Sequence, residues 1–268
     1  MKAEKSVVKG TTAVATAPEY NMEDMEGMGT EQATADDFAI PFVHIAQALS
    51  PQIEEGDAKY IAELKKGQLF NSVTGEIYSG GVNVVPVMFE RKILEFKTRD
   101  SGGGLVAMYD DVAEGLARVA GKDDRGMDVT AEGNQIVDTR SFYCVLQREN
   151  GTTEYVLVSM KSTQTKKAKQ WLSLIRGIKR PRSNGQGFFN PPMFATLYHI
   201  GTAKEENAKG SWHGFVLSKA KDLEAGDEVF QEAAAFYDSL RSGEVKANYA
   251  NIDGDAPATE DEEGEIPY

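Results

Sequence analysis

The sequence is poor in the residues that disulfides and metal sites require. It has one cysteine, Cys144, and three histidines, at positions 44, 199 and 213. A single thiol forms no intramolecular disulfide and no cysteine-rich zinc site, and histidines so far apart give no metal-ligand spacing. We therefore expect no bound metal and no cofactor. Cys144 lies in an apolar strand pattern, where a buried and inert thiol is usual.

Long apolar runs are also missing. No stretch approaches the roughly 20 apolar residues that a membrane-spanning helix needs. No apolar stretch follows Lys2 and Lys5, as it would in a signal peptide. We expect no membrane partner and a reducing, cytoplasmic location.

Motifs of nucleotide-dependent and metal-dependent enzymes are scarce. The glycines at positions 102–104 lack the Gly-Lys-Ser/Thr ending of a phosphate-binding loop. Glu90-Arg91-Lys92 follows an apolar strand and resembles part of the core of restriction-like nucleases, where carboxylates hold Mg²⁺ and a lysine helps to activate water. Asp57 is the upstream partner that the sequence offers, and no Pro-Asp precedes the strand. We expect binding rather than catalysis, with a metal-dependent nuclease as the alternative.

Acidic residues are concentrated at the two ends of the chain. The net charge is −13, of which residues 1–37 carry −5 and residues 251–268 carry −7, so that the middle is near neutral. Neither end shows an apolar period, which is typical of disorder. We predict a disordered acidic leader over residues 1–37, a globular core over 38–242 and a disordered acidic tail over 243–268.

The core shows patterns of strands joined by tight turns. Apolar runs at 142–146 and 155–158 flank Asn150-Gly151, which is a strong hairpin signal. A second hairpin is predicted from residues 194–200 and 212–217. A long strand over 82–96 contains Pro86, which places it at a sheet edge or at a bulge. Helical patterns are predicted at residues 57–64, 111–120, 163–178 and 228–240.

These elements predict the fold class. Short strands in hairpins with a few helices indicate an α+β protein with an antiparallel β-rich core and peripheral helices. A small OB-type barrel is one form that such a core can take.

The middle of the chain contains a long segment without acidic residues. No Asp or Glu lies between Glu154 and Glu205, whereas lysine and arginine recur throughout. Clustered cations repel one another unless an anion such as phosphate is near. On the predicted helix, Lys166 and Arg176 lie opposite an apolar stripe that includes Trp171. The cations predicted to contact phosphates are Lys161, Lys166, Lys167, Lys169, Arg176, Lys179, Arg180 and Arg182.

Aromatic residues accompany these cations. Phe188 and Phe189 follow a glycine-rich loop directly after the basic run. Cations that follow a backbone and rings that stack on bases are what a sequence-tolerant binder of single strands needs. A second candidate patch interleaves aromatic and basic residues along the long strand and just beyond it: Phe89, Arg91, Lys92, Phe96, Lys97 and Arg99.

The last residues form a distinctive pattern. Acidic residues precede an Ile-Pro-aromatic ending: Asp261, Glu262, Glu263, Glu265, Ile266, Pro267 and Tyr268. This ending resembles the tip of bacterial single-stranded DNA-binding proteins, with Tyr268 in place of Phe and Glu265 in place of Asp. The resemblance implies that the tip recruits replication and recombination proteins such as a polymerase, a helicase or a nuclease. An OB-fold is implied for the core by analogy alone.

The whole layout is similar to that of phage-encoded single-stranded DNA-binding proteins. It predicts sequence-independent binding of single-stranded DNA during phage DNA replication and recombination, in the cytoplasm of the host. A single-strand annealing recombination protein and a structural scaffold are further alternatives. A homo-oligomer is compatible with each of these functions.

Overall fold

The computed structural model describes residues 21–26, 28–33, 39–98, 101–207 and 210–249. Three α-helices are present there: α1 Val112–Leu116, α2 Thr165–Gly177 and α3 Glu228–Ser242. The strands in chain order are β1 Val43–Ile45, β2 Leu69–Asn71, β3 Ile77–Tyr78, β4 Val82–Phe96, β5 Leu105–Tyr109, β6 Gly121–Lys122, β7 Asp128–Val129, β8 Gln135–Gln147, β9 Thr153–Lys161, β10 Arg180–Pro181, β11 Phe188–Phe189, β12 Thr196–Asn207 and β13 Gly210–Asp222.

Two long antiparallel strands, β4 and β8, form the axis of the main sheet. They pair over nearly their whole lengths, and the register shifts at a bulge between Pro86 and Met88. The bulge accommodates the proline, which has no amide hydrogen to donate to the ladder. On one side β12 and then β13 extend the sheet from the first residues of β4, whereas β5 pairs with its last residues. On the other side β9 and β7 pair with different parts of β8, and β6 pairs with β7.

The main sheet is buried on both faces by helices. On one face Val85 and Val87 pack in a cluster with Phe236 of α3. On the other face Val84 and Cys144 pack in a cluster with Trp171 of α2. Successive strand residues point to opposite faces, so the continuous apolar runs of β4 and β8 follow from this double coverage. Burial raises the pKa of the Cys144 thiol well above its usual range.

A small sheet, β1-β2-β3, adjoins the edge of β9. The backbone N–H of Leu157 in β9 donates to the carbonyl oxygen of Pro41 at 2.8 Å, and Phe42 pairs in parallel with Leu157. This segment therefore covers the free edge of β9.

The opposite edge strand, β13, is covered in part by two glutamine side chains. Gln47 accepts from the backbone N–H of His213 at 3.0 Å and donates to its carbonyl oxygen at 2.8 Å. Gln164 accepts from the backbone N–H of Phe215 at 2.9 Å. These side chains bind the backbone groups that a neighbouring strand would otherwise bind.

The α+β fold class with a largely antiparallel β-rich core is confirmed. The described residues form open sheets and no closed barrel, so the OB-type barrel is not the form that the core takes. The helix predicted at residues 57–64 is wrong. That segment consists of bends and turns, and Glu63 has a φ of 69°, which is incompatible with a right-handed helix.

Defined structure continues past the predicted core boundary at residue 242. The chain beyond α3 turns at Gly243 and leads to Tyr249, whose side chain is buried against the α3-covered face and contacts Phe42 edge to face. No helix among the described residues is long and apolar enough to cross a membrane.

Candidate nucleic-acid interface

Helix α2 is amphipathic in the way that its sequence predicts. Ala168 and Trp171 are buried, and the Trp171 ring stacks on Phe142 of β8 with centroids 4.3 Å apart. Lys166, Lys169 and Arg176 are exposed on the opposite side. At a rise of about 1.5 Å per residue, the row from Lys166 to Arg176 is about 15 Å long.

A small hairpin follows α2, and we call residues 179–190 the basic hairpin. Its strands β10 and β11 pair Arg180 with Phe189 and Pro181 with Phe188. Gly185 and Gly187 form the turn with φ of 72° and 76°, a conformation in which glycine carries no steric penalty. Phe188 is 67% exposed and Phe189 is 36% exposed.

Two polar side chains attach the basic hairpin to the rest of the molecule. The Asn190 amide donates to the carbonyl oxygens of Arg176 and Ile178 at 2.8 and 3.4 Å, and it accepts from Lys179 Nζ at 2.7 Å. Asn190 therefore binds the last carbonyl groups of α2, which have no partner within the helix.

Arg180 provides the second attachment. Its guanidinium donates to the carbonyl oxygens of Leu223 and Ala195 at 2.9 and 2.8 Å. It also lies 3.5 Å from Asp222. These contacts fix the hairpin beside the end of β13, so Arg180 serves the fold at this position.

Five of the predicted cations lack an acidic neighbour. Within the ranges that the structure describes, no carboxylate pairs with them: Lys166, Lys169, Arg176, Lys179 and Arg182. Lys167 differs, because its Nζ lies 2.8 Å from Glu205, which also accepts from Trp212 Nε1 at 3.0 Å. Lys161 is half-buried. We call these five cations, together with Phe188 and Phe189, the basic surface.

Two further lysines, outside the predicted basic segment, lie close to the basic hairpin. Lys219 and Lys221 are exposed near the end of β13. They lie next to Asp222 and Leu223, which Arg180 of the basic hairpin contacts. Lys219 pairs with Asp222 at 2.7 Å. Their alternation at a strand end was visible in the sequence, but their nearness to residues 179–190 depends on long-range packing.

The second predicted patch does not form a single surface. Phe96 is 4% exposed and belongs to the core cluster beneath α3, so its ring cannot stack on a base. Arg91 and Lys92 are adjacent in an extended strand and therefore point to opposite faces of the sheet. Arg99 lies outside the described residues.

Glu90, the carboxylate of the nuclease-like pattern, bonds to other side chains of the protein. Glu90 accepts from the hydroxyls of Tyr143 and Tyr249 at 3.1 and 3.0 Å, and it lies 3.0 Å from Lys92 Nζ. Burial and the charge of Glu90 raise the pKa of both tyrosines. The described part of the chain contains no group of three or more His, Cys, Asp and Glu side chains that could hold a metal ion.

The predicted partner-binding tip, Asp261 to Tyr268, lies outside the described residues.

In comparisons with known proteins, residues 8–246 match the model of a family described as Pam3 phage gp34-like protein. No curated protein and no solved structure matches the chain.

Proposed function

We propose that this chain, which belongs to the Pam3 phage gp34-like protein family, binds single-stranded DNA without sequence preference during phage DNA replication or recombination. The basic surface is the proposed interface. The proposed activity is binding and not catalysis.

The exposed aromatic pair of the basic hairpin carries this proposal. Phe188 presents two thirds of its surface to solvent on a hairpin that also bears Lys179 and Arg182. Rings beside cations suit a strand whose bases are unstacked and whose backbone is anionic. Stacking contributes about 1–3 kcal/mol per base in such sites.

The unpaired cations support the same ligand. Because no described carboxylate neutralises the five cations of the basic surface, each of them can bind a phosphate and release a condensed counterion. If all five do so, the logarithm of the association constant should fall with the logarithm of the salt concentration at a slope of about −3 to −4.

The acidic tail is the proposed site of partner recruitment. Ile266 and Tyr268 supply apolar area, Pro267 limits the entropy lost on docking, and the acidic residues attract basic pockets on replication and recombination proteins. The same charges compete with DNA for the basic surface.

The direct test measures fluorescence anisotropy of a labelled oligo-dT and of a matched duplex at several salt concentrations, with EDTA present. The variant Lys179→Gln/Arg182→Gln removes two cations of the basic surface. Its matched control, Lys122→Gln/Arg125→Gln, removes two exposed cations that pair with Asp128 and Asp123 near β6 and β7. Phe188→Ala tests stacking separately.

We expect the wild type to prefer oligo-dT and to bind less tightly as salt rises. The hairpin double variant should bind at least tenfold more weakly and with a shallower salt slope, whereas the control should bind as the wild type does. No binding to oligo-dT at low salt, or equal losses in both double variants, would contradict the proposal. Cleavage of either DNA when Mg²⁺ replaces EDTA would support the nuclease alternative instead.

A further inference from the structure

Two arginines face each other across the central strand pair. The register of β4 and β8 places Arg91 directly opposite Arg140, so both side chains lie on the face that α2 covers. Like charges at directly opposite positions of an antiparallel pair are destabilising. An arrangement of this kind calls for a compensating anion.

A single carboxylate serves both guanidinium groups. Asp138 accepts from Nε and Nη2 of Arg91 at 2.9 and 2.8 Å, and it lies 3.1 Å from Nη1 of Arg140. The Arg140 side chain is only 7% exposed, and a charge so deeply buried requires pairing. Two cations share one anion, which leaves the cluster with a net positive charge.

The start of α2 adds further positive charge to this cluster. Nη1 of Arg140 lies 3.3 Å from Oγ1 of Thr165, the first residue of α2. The N-terminus of a helix carries a partial positive charge and favours an anion there. No acidic residue occupies the first turn of α2. A 3₁₀ turn, Ser162–Gln164, leads directly into α2, so Arg140 lies about one turn after the positive end of this helical segment, where a cation is disfavoured.

From this geometry we infer that Arg91, Arg140 and the start of α2 form a site for one phosphate group. The Arg91 side chain is 36% exposed, so a phosphate can reach the cluster from solvent. The site lies at the opposite end of α2 from the basic hairpin. The inference rests on the proposed function in that the phosphate belongs to the DNA backbone, which would run along α2 from the hairpin to this cluster.

The test combines two probes, inorganic phosphate and labelled oligo-dT, with the full chain. The variant is Arg91→Gln, because Arg91 is partly exposed, whereas replacing the buried Arg140 would disturb the packing of the interior. Arg125→Gln is the control, since it also removes one exposed cation but lies near β6 and β7. The melting temperature is measured in phosphate and in chloride at equal ionic strength, and anisotropy gives the oligo-dT affinity.

We expect phosphate to raise the melting temperature of the wild type and of Arg125→Gln, and to have no such effect on Arg91→Gln. Arg91→Gln should also bind oligo-dT several-fold more weakly, with a salt slope shallower by about 0.7, the value for one phosphate contact to a single strand.

The two proposals can fail separately. If the wild type binds oligo-dT, but Arg91→Gln binds it equally well and phosphate stabilises neither protein, the site is overturned and the proposed function stands. If the wild type does not bind oligo-dT, the proposed function fails. The phosphate-dependent melting temperature then decides alone whether the arginine cluster is an anion site.

Discussion

At the scale of single residues, Gly115 shows how closely α1 approaches the sheet. A Cβ at this position would lie 2.4 Å from Cβ of Ile93, which is fully buried in β4. No side chain larger than hydrogen fits without moving the helix. At Gly177, the last residue of α2, an added Cβ would have no atom of another described element within 4 Å.

We therefore predict opposite effects for the same substitution at these two glycines. Gly115→Ala should lower the free energy of unfolding by about 1–3 kcal/mol, the usual cost of overpacking. Gly177→Ala should raise it by up to about 1 kcal/mol, because alanine restricts the unfolded chain and favours a helix. Urea denaturation measures both. Equal effects of the two substitutions would show that α1 does not pack as described.

At the scale of elements, the basic hairpin depends on Asn190 for its position relative to α2. The Asn190 amide donates to two carbonyl groups at the end of the helix and accepts from Lys179. We predict that Asn190→Ala lowers the free energy of unfolding by about 1–2 kcal/mol, through hydrogen bonds worth about 1 kcal/mol each.

Asn190→Ala should also weaken oligo-dT binding, because the rings of the hairpin lose their fixed relation to the helix. Asn184→Ala is the matched control, since Asn184 bonds within the hairpin loop to the backbone N–H of Gln186. Hydrogen exchange should rise throughout the hairpin in Asn190→Ala, whereas in Asn184→Ala it should rise at the Gln186 amide alone. Unaltered exchange and affinity in Asn190→Ala would exclude the anchoring role.

The elements also show what the sequence could predict. The hairpin at Asn150-Gly151 and the helix that contains Trp171 follow from local patterns, and both are present. The pairing of β4 with β12 could not be predicted, because it joins segments that are distant in the chain. Phe96 was assigned to the surface because strand alternation separates two faces without indicating which of them a helix will cover.

The candidate site was predictable only in part for the same reason. Segregated charge identified the cations of α2 and the hairpin. Which of these side chains are already paired, such as Arg180 and Lys167, depends on partners that long-range packing brings near. A role for Arg140 could not be predicted from the sequence, since its closeness to Arg91 depends on the register of β4 and β8.

At the scale of the whole molecule, buried and partly buried tyrosines make stability sensitive to alkaline pH. Burial is the main cause that raises the pKa of Tyr78, Tyr155 and Tyr198 to about 12. A tyrosine in an unfolded chain has a pKa of about 10. Between these values the unfolded chain releases protons that the folded chain retains, so unfolding becomes more favourable as pH rises.

The predicted result is a free energy of unfolding that these tyrosines leave unchanged below about pH 10 and that falls from there toward pH 12. Tyr198→Phe should reduce the fall and cost little stability at pH 7, since no described residue bonds to the Tyr198 hydroxyl. Urea denaturation at pH 8 and pH 11 provides the measurement. A wild type equally stable at both pH values would refute the expectation.

The acidic tail gives a second prediction for the whole molecule. Deleting residues 251–268 removes a net charge of −7, and we expect the affinity for oligo-dT to rise at low salt and to approach the full-length value at high salt. Pull-down of replication or recombination proteins should be lost in the same variant. An affinity unchanged by the deletion at low salt would remove the competition between tail and DNA.

The glutamines at the edge of β13 affect how copies of the protein behave when they are close together. Under the proposed function, copies bound to one nucleic-acid strand would lie side by side at very high local concentration, where exposed strand edges tend to join into fibrils. Gln47 and Gln164 occupy the backbone groups of His213 and Phe215, and Lys219 and Lys221 place charge along the remainder of the edge. This part of the β13 edge is thereby closed to a strand of another molecule, so that copies bound close together would remain separate.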